Sequence, residues 1–111
     1  MPEMYLFGGP NGAGKTTTAL KLLPALGCAN FVNADLIARG LAPIGGDVNF
    51  QAGVLMMRRL RKLRDQEADF ATESTLAART FAPFIRECHA LGYRFHLFYL
   101  GSAQKTEYIA R

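Results

Sequence analysis

A chain of 111 residues, 50% hydrophobic and 20% charged, is at most one domain of ordinary globular composition with room for a modest core. No apolar run approaches the roughly 20 residues of a membrane-spanning helix, and no signal-peptide pattern opens the chain, so a membrane protein is excluded and the cytoplasm is the expected compartment. The net charge of +4 suits anionic ligands, but aromatic residues do not interleave with the basic ones as a stacking platform requires, which argues against nucleic acid.

Met4-Tyr5-Leu6-Phe7 is short and bulky enough for a buried strand. It leads into Gly9-Pro10-Asn11-Gly12-Ala13-Gly14-Lys15-Thr16, a full match to G-x-x-x-x-G-K-[ST], the phosphate-binding P-loop. A helix follows from Thr16 to Leu23 with Leu20, Leu22 and Leu23 as its apolar residues. Strand, glycine loop and helix form the context in which the motif works. The glycines let the backbone approach a phosphate, and the loop N–H groups form an anion nest at the positive end of the helix. Lys15, expected to stand exposed, adds a charge for the β- and γ-phosphates, Thr16 offers a hydroxyl to Mg²⁺, and Thr17 extends the nucleotide-binding set. The cofactors expected are ATP and Mg²⁺.

Pro24 is expected to end the first helix and Gly27 to turn the chain. Residues 29–33 read as a second strand, with Asn33-Ala34-Asp35 at its carboxyl end, the end that faces the ligand crevice of an open α/β sheet. A carboxylate at Asp35 can take a proton from an acceptor hydroxyl or hold Mg²⁺ through water; it can equally serve as N-cap of the short helix through Leu36 and Arg39, closed by Gly40. Pro43, Gly45 and Gly46 make a loop. Asp47 then caps a longer helix from about Val48 to Arg64, whose core face should be Val48, Ala52, Leu55, Met56, Leu60 and Leu63. Arg58, Arg59, Arg61, Lys62 and Arg64 form a basic face that complements the helix dipole, read as a solvated face in preference to a cationic surface for a phosphorylated substrate.

Residues 68–72 should be the third strand, with Glu73, Ser74 and Thr75 at its carboxyl end, where Glu73 and Thr75 can bind a polar substrate, order the metal's water shell, or cap the next helix. That helix runs from Thr80 to Leu91, with Phe81, Phe84, Ile85, Cys88 and Leu91 as core stripe, Pro83 in its first turn and Gly92 as stop; His89 lies off the stripe. Residues 93–100 form the fourth strand, apolar enough to be covered on both faces, with His96 packed against a local hydrogen-bond partner. Ser102 is expected to cap a last helix. Cys28 and Cys88 lack metal or redox spacing and read as reduced thiols. The alternation implies an α/β, P-loop NTPase three-layer fold: a parallel sheet of about four strands with helices on both faces, in unspecified order.

The segments Phe31 to Pro43 (FVNADLIARGLAP) and Phe70 to Arg79 (FATESTLAAR) resemble the zeta toxin-like family of P-loop kinases, in the branch labelled predicted ATPase or UDP-N-acetylglucosamine kinase-like. The resemblance covers nearly the whole chain, with three motifs in order. It implies that Lys15 and Thr16 bind ATP–Mg²⁺, that Asp35 is the base on the acceptor hydroxyl, and that Glu73, Thr75 and Arg79 lie in the acceptor site. It also implies a small-molecule substrate such as UDP-N-acetylglucosamine and, as a partner, an antitoxin protein. Family members continue into a lid with arginines and a further strand, so the chain is expected to be the N-terminal part of the family domain, C-terminally incomplete. Two alternatives stay open: a non-catalytic nucleotide-binding fragment and an ABC-type ATPase, whose loop reads the same but whose signature sequence is missing here.

Overall fold

A computed structural model describes residues 1–41, 47–74, 81–101 and 106–110. The elements are β1 (Glu3–Gly8), α1 (Lys15–Leu26), β2 (Phe31–Val32), α2 (Ala34–Arg39), α3 (Val48–Asp65), β3 (Phe70–Ser74), α4 (Phe81–Ala90), β4 (Arg94–Leu100) and β5 (Thr106–Ala110). They form one five-stranded sheet in the order β2-β3-β1-β4-β5. The first four strands are parallel, and β5 runs antiparallel to β4.

Alternation along β1 divides the core in two. Met4 and Leu6 face α3 and α4, joining Phe70, Leu60, Leu63, Phe81, Phe84 and Cys88 in one cluster. Tyr5 and Phe7 face the other way, onto Ala19 and Leu23 of α1, with Cys28 and Ala71. This is the arrangement that period-two side-chain alternation gives to a strand covered on both faces. In register, Gly8 lies opposite Ser74 of β3 and Tyr99 of β4, so three strands end at one level and deliver their following loops to one edge.

Several expectations shift. Pro24 lies inside α1, which continues to Leu26 and stops at Gly27 (φ 70°). The Leu20 carbonyl loses its helical donor there, on a residue that is exposed. The buried stripe of α1 is Ala19 and Leu23, while Leu20 is 59% exposed. The second strand is just Phe31–Val32, and the third is displaced to Phe70–Ser74. Ala68 and Asp69, expected in that strand, instead accept hydrogen bonds from the Tyr93 hydroxyl and the Glu3 N–H.

On α3, Asp47 caps as expected, accepting from the N–H groups of Asn49 (2.9 Å) and Phe50 (3.3 Å). Ala52, Leu60 and Leu63 are buried, but Leu55 is exposed. Arg64 does not belong to the solvated basic face: its side chain is only 15% exposed, lies over the Phe84 ring, and pairs with Asp65 and with Glu87 of α4. On α4 the stripe is Phe81, Phe84 and Cys88; Leu91 leaves it because the helix has already ended and Gly92 (φ 92°) turns the chain. His89 is exposed, as expected.

The largest departure is at the end of the chain, where the expected helix is a strand. Ser102 itself lies outside the described residues, as do Pro43, Gly45 and Gly46. Tyr108 and Ile109 are residues that suit a pleated surface, and the open edge of β4 gives them a partner. Tyr108 pairs with Phe98, packs on its ring at 4.9 Å, and its hydroxyl meets His96 Nδ1 at 2.5 Å. His96 Nε2 meets Glu3 Oε2 at 2.6 Å. His96 is therefore packed as expected, but its partners come from β1 and β5 rather than from nearby in the chain.

Both cysteines are buried and free. Burial pushes the Cys88 thiol up from 9.0 to about 11 and the Tyr93 phenol from 10.0 to about 12. Both groups fold in their neutral form, so their contribution to stability is full below about pH 9 and is lost as pH rises through 11 and then 12. Tyr93→Phe leaves the Ala68 and Leu63 carbonyls without the hydroxyl that now serves both. Urea unfolding should show a loss of about 1 kcal/mol at pH 7. The variant should also lose less stability than wild type between pH 10 and 12, the range over which the Tyr93 phenol titrates, while the Cys88 loss from pH 9 to 11 stays.

Candidate functional site

The site begins with the turn after β1. Gly9 has φ 140°, and a Cβ on it would lie 2.3 Å from the Leu100 carbonyl oxygen at the end of β4. On its other side the Gly9 N–H donates to Ser74 O of β3 at 3.2 Å. The chain thus passes between two strand ends where only glycine fits. Gly12 and Gly14 differ: they have open space around them and need glycine only for their positive φ.

Gly14 is the N-cap of α1, with no side chain capping the helix and no acidic residue in its first turn. The positive end of a twelve-residue helix and its leading N–H groups are thereby left to an anion. Lys15 differs from expectation. It is 7% exposed, and its ammonium donates to the carbonyls of Gly9 (2.7 Å) and Pro10 (2.9 Å). An ammonium has three donors, so the lysine can clamp the loop and still offer one N–H to a phosphate.

Thr16, one residue on, donates its hydroxyl to Glu73 Oε2 at 2.8 Å and accepts from Asn33 Nδ2 at 3.1 Å. Asn33 also caps α2, its Oδ1 accepting from the N–H groups of Asp35 (2.7 Å) and Leu36 (3.3 Å). The cap expected of Asp35 is therefore made by Asn33, and the Asp35 carboxylate takes no part in it. Asp35 is exposed, in the first turn of α2.

These groups line a cleft of about 330 Å³ bounded by Asn11, Gly12, Gly14, Lys15, Thr16, Thr17, Asp35 and Glu73. A second space of about 150 Å³ adjoins it, sharing Asn11, Lys15, Asp35 and Glu73 and adding Asn33 and Ala34. The structure therefore brings together the loop, Asp35 and Glu73. Thr75 and Arg79, the other two expected acceptor-site residues, lie outside the described residues. Asn33 is the residue that sequence reasoning missed. The signal was available: asparagine is among the best N-caps, and it directly precedes the short helix.

The residues suit Mg²⁺ as well as phosphate. Among the described residues no group of three or more His, Cys, Asp and Glu could hold a metal by itself. Magnesium needs no such cage, since it is usually held by one or two side chains, substrate phosphates and water. A hydroxyl hydrogen-bonded to a carboxylate at the end of the neighbouring strand is a donor set of that kind.

The family profile described as Zeta toxin matches residues 1–108. The chain belongs to the zeta toxin family. Solved structures agree on the fold. A protein assigned as a kinase from Chloroflexus aurantiacus superposes with a TM-score of 0.72 at 14% identity, covering 89% of this chain and 59% of its own. The APS kinase of Mycobacterium tuberculosis, solved as a cysteine-to-alanine mutant, gives 0.61 at 18% identity over 96% of this chain and 80% of its own. This chain thus spans about three-fifths of the Chloroflexus protein and has the fold of P-loop kinases. No curated protein sequence matches it significantly. Among the described residues no helix is long and apolar enough to cross a membrane.

Two outcomes follow from the loop geometry. Lys15→Met should remove most ATP affinity in calorimetry, and should also lower the melting temperature because two loop carbonyls lose their donor; equal ATP binding by mutant and wild type would sink the phosphate-site assignment. Gly9→Ala should destabilise the protein more than Gly12→Ala in thermal melts, since only Gly9 adds a backbone collision to the strained φ.

Proposed function

We propose that this zeta toxin family member binds ATP with Mg²⁺ in the loop cleft and transfers the γ-phosphate to a hydroxyl of a small molecule. The observation that carries the reading is the pair of adjoining spaces with a shared wall. One is walled by the glycine loop and Thr17, the other by Asn33 and Ala34, and Lys15, Asp35 and Glu73 stand between them. A phosphoryl donor and an acceptor need this juxtaposition, because most of the catalysis in phosphoryl transfer is positioning and charge stabilisation.

Each residue then has a role. The loop N–H groups and the third N–H of Lys15 hold the β- and γ-phosphates. Thr16 and Glu73 would hold the magnesium ion, directly or through its water, and the bound ion neutralises charge on the transferring group. Asp35 accepts the proton of the acceptor hydroxyl as its oxygen bonds to the γ-phosphorus and the bond to the ADP oxygen breaks. The family resemblance suggests acceptor-side roles for Thr75 and Arg79, and UDP-N-acetylglucosamine as the acceptor. An antitoxin protein is the partner that the family suggests. A reading as a nucleotide-binding protein without turnover is favoured by one observation: Lys15 is the only cation among the described residues that line the two spaces. An arginine delivered to the transition state contributes about 10³–10⁵-fold in other P-loop enzymes.

The test is incubation with ATP, Mg²⁺ and UDP-N-acetylglucosamine, following the phosphosugar by mass spectrometry. Asp35→Asn should leave ATP binding nearly unchanged and lower transfer by about 10²–10⁴-fold. Undiminished transfer by the mutant would remove Asp35 from the base role, and weakened Mg²⁺ binding would place it in the metal's shell instead.

A further inference from the structure

We infer that Asn33 is a positioning residue that sets the direction of the Thr16 hydroxyl, and so makes the magnesium site, while the same amide orders the turn carrying Asp35. The inference rests on the proposed nucleotide reading and goes further, assigning a role to a buried side chain outside the loop motif.

Asn33 is 3% exposed and has an extended backbone at the N-cap of α2. One of its amide atoms meets two backbone N–H groups, those of Asp35 and Leu36, and these are donors only. That atom must be the oxygen, so the NH₂ group is the one that faces Thr16. An NH₂ group can only donate. Thr16 Oγ1 therefore accepts from Asn33, and its own proton is directed at the Glu73 carboxylate, which can only accept.

A hydroxyl oxygen has one proton and two lone pairs. With the proton held by Glu73 and one lone pair held by Asn33, a single lone pair remains. It can bind a cation or accept a further hydrogen bond, but it cannot donate to a phosphate oxygen. Glu73 thus keeps the proton away from a phosphate, and Asn33, by holding one lone pair, fixes the direction of the lone pair left for a metal. Because Oδ1 of the same amide holds the Asp35 N–H at 2.7 Å, the metal-side hydroxyl and the backbone of Asp35 are tied to one rigid group.

The cap and the donor can be separated. Asn33→Ser and Asn33→Thr keep an N-cap oxygen of comparable quality but are too short to reach Thr16. Calorimetry with ATP in EDTA and with ATP in excess Mg²⁺, beside a thermal melt, reads the two functions apart. Each variant should melt near wild type, keep its metal-free ATP affinity, and lose about three- to tenfold of the affinity gain that Mg²⁺ confers, the range of one hydrogen bond. Asn33→Ala, lacking both functions, should melt lower and lose the gain as well. Threonine fills more of the vacated volume than serine, so one folded variant is enough. A cap variant that keeps the full magnesium gain, or that loses ATP equally with and without Mg²⁺, would overturn the inference while leaving the nucleotide reading intact. Wild type that bound ATP under neither condition would overturn both.

Discussion

The passage of the chain at Gly9 is the constraint on which the site depends. The parallel register of β3, β1 and β4 brings three strand ends to one level, and the backbone leaving the central strand has to fit between its neighbours. It does so with a hydrogen bond to β3 on one side and no room for a methyl group against β4 on the other. Once the turn is held there, the loop can only rise over the sheet edge and come back as α1. Lys15 closes it by bonding the carbonyls of the two residues that began it. The residue proposed to meet a phosphate is thus also structural, and its burial reflects how tightly the loop wraps the ammonium.

The strand order turns this edge into a site. From β1 the chain goes out through α1 to β2, returns through α2 and α3 to β3, then crosses β1 through α4 to β4. The first crossover lies on one face of the sheet and the later ones on the other, as right-handed connections in opposite directions require. The direction therefore reverses around β1, and crevices form where strand order reverses. The ends of β2 and β3 fall on the same side of the loop. This is why Asn33, Asp35 and Glu73, distant from Thr16 in sequence, converge on it.

Features encoded in short stretches were legible in the sequence. The loop motif, the Asp47 cap and the stop at Gly92 each depend on residues within a few positions, and each stands where the spacing put it; the first helix, expected to end at Pro24, runs on to Leu26. Features set by tertiary neighbours were not legible. Leu55 falls at the margin of the stripe that Ala52, Leu60 and Leu63 bury, and Leu91 follows the end of its helix, so both are exposed. Arg64 sits on α3 like its basic neighbours, but Phe84 and Glu87 of α4 bring it inward. The strand at Thr106–Ala110 was invisible because its stability comes from β4, His96 and Phe98 and not from its own five residues. Asn33 is not legible as a site residue because its role needs a tertiary partner: Asp35 has the reactive group, but the neutral amide beside it has both a donor and an acceptor to distribute.

That distribution bears on the charge of the site. Among the described lining residues, Lys15 contributes one positive charge against the carboxylates of Asp35 and Glu73, a net of −1. A polyphosphate entering such a cleft meets favourable N–H groups along the loop but a negative wall at its γ-end. A divalent ion held by Thr16, as proposed, would reverse the sign of that wall locally, since bound cations of this kind are often the largest charge in a site. On the proposed reading the metal is needed for the nucleotide to approach Asp35 at all, before it takes any part in the transfer. On that reading the side chains that orient Thr16 toward a cation would decide more than metal affinity: they would decide whether donor phosphate and acceptor base can occupy neighbouring spaces without repelling each other.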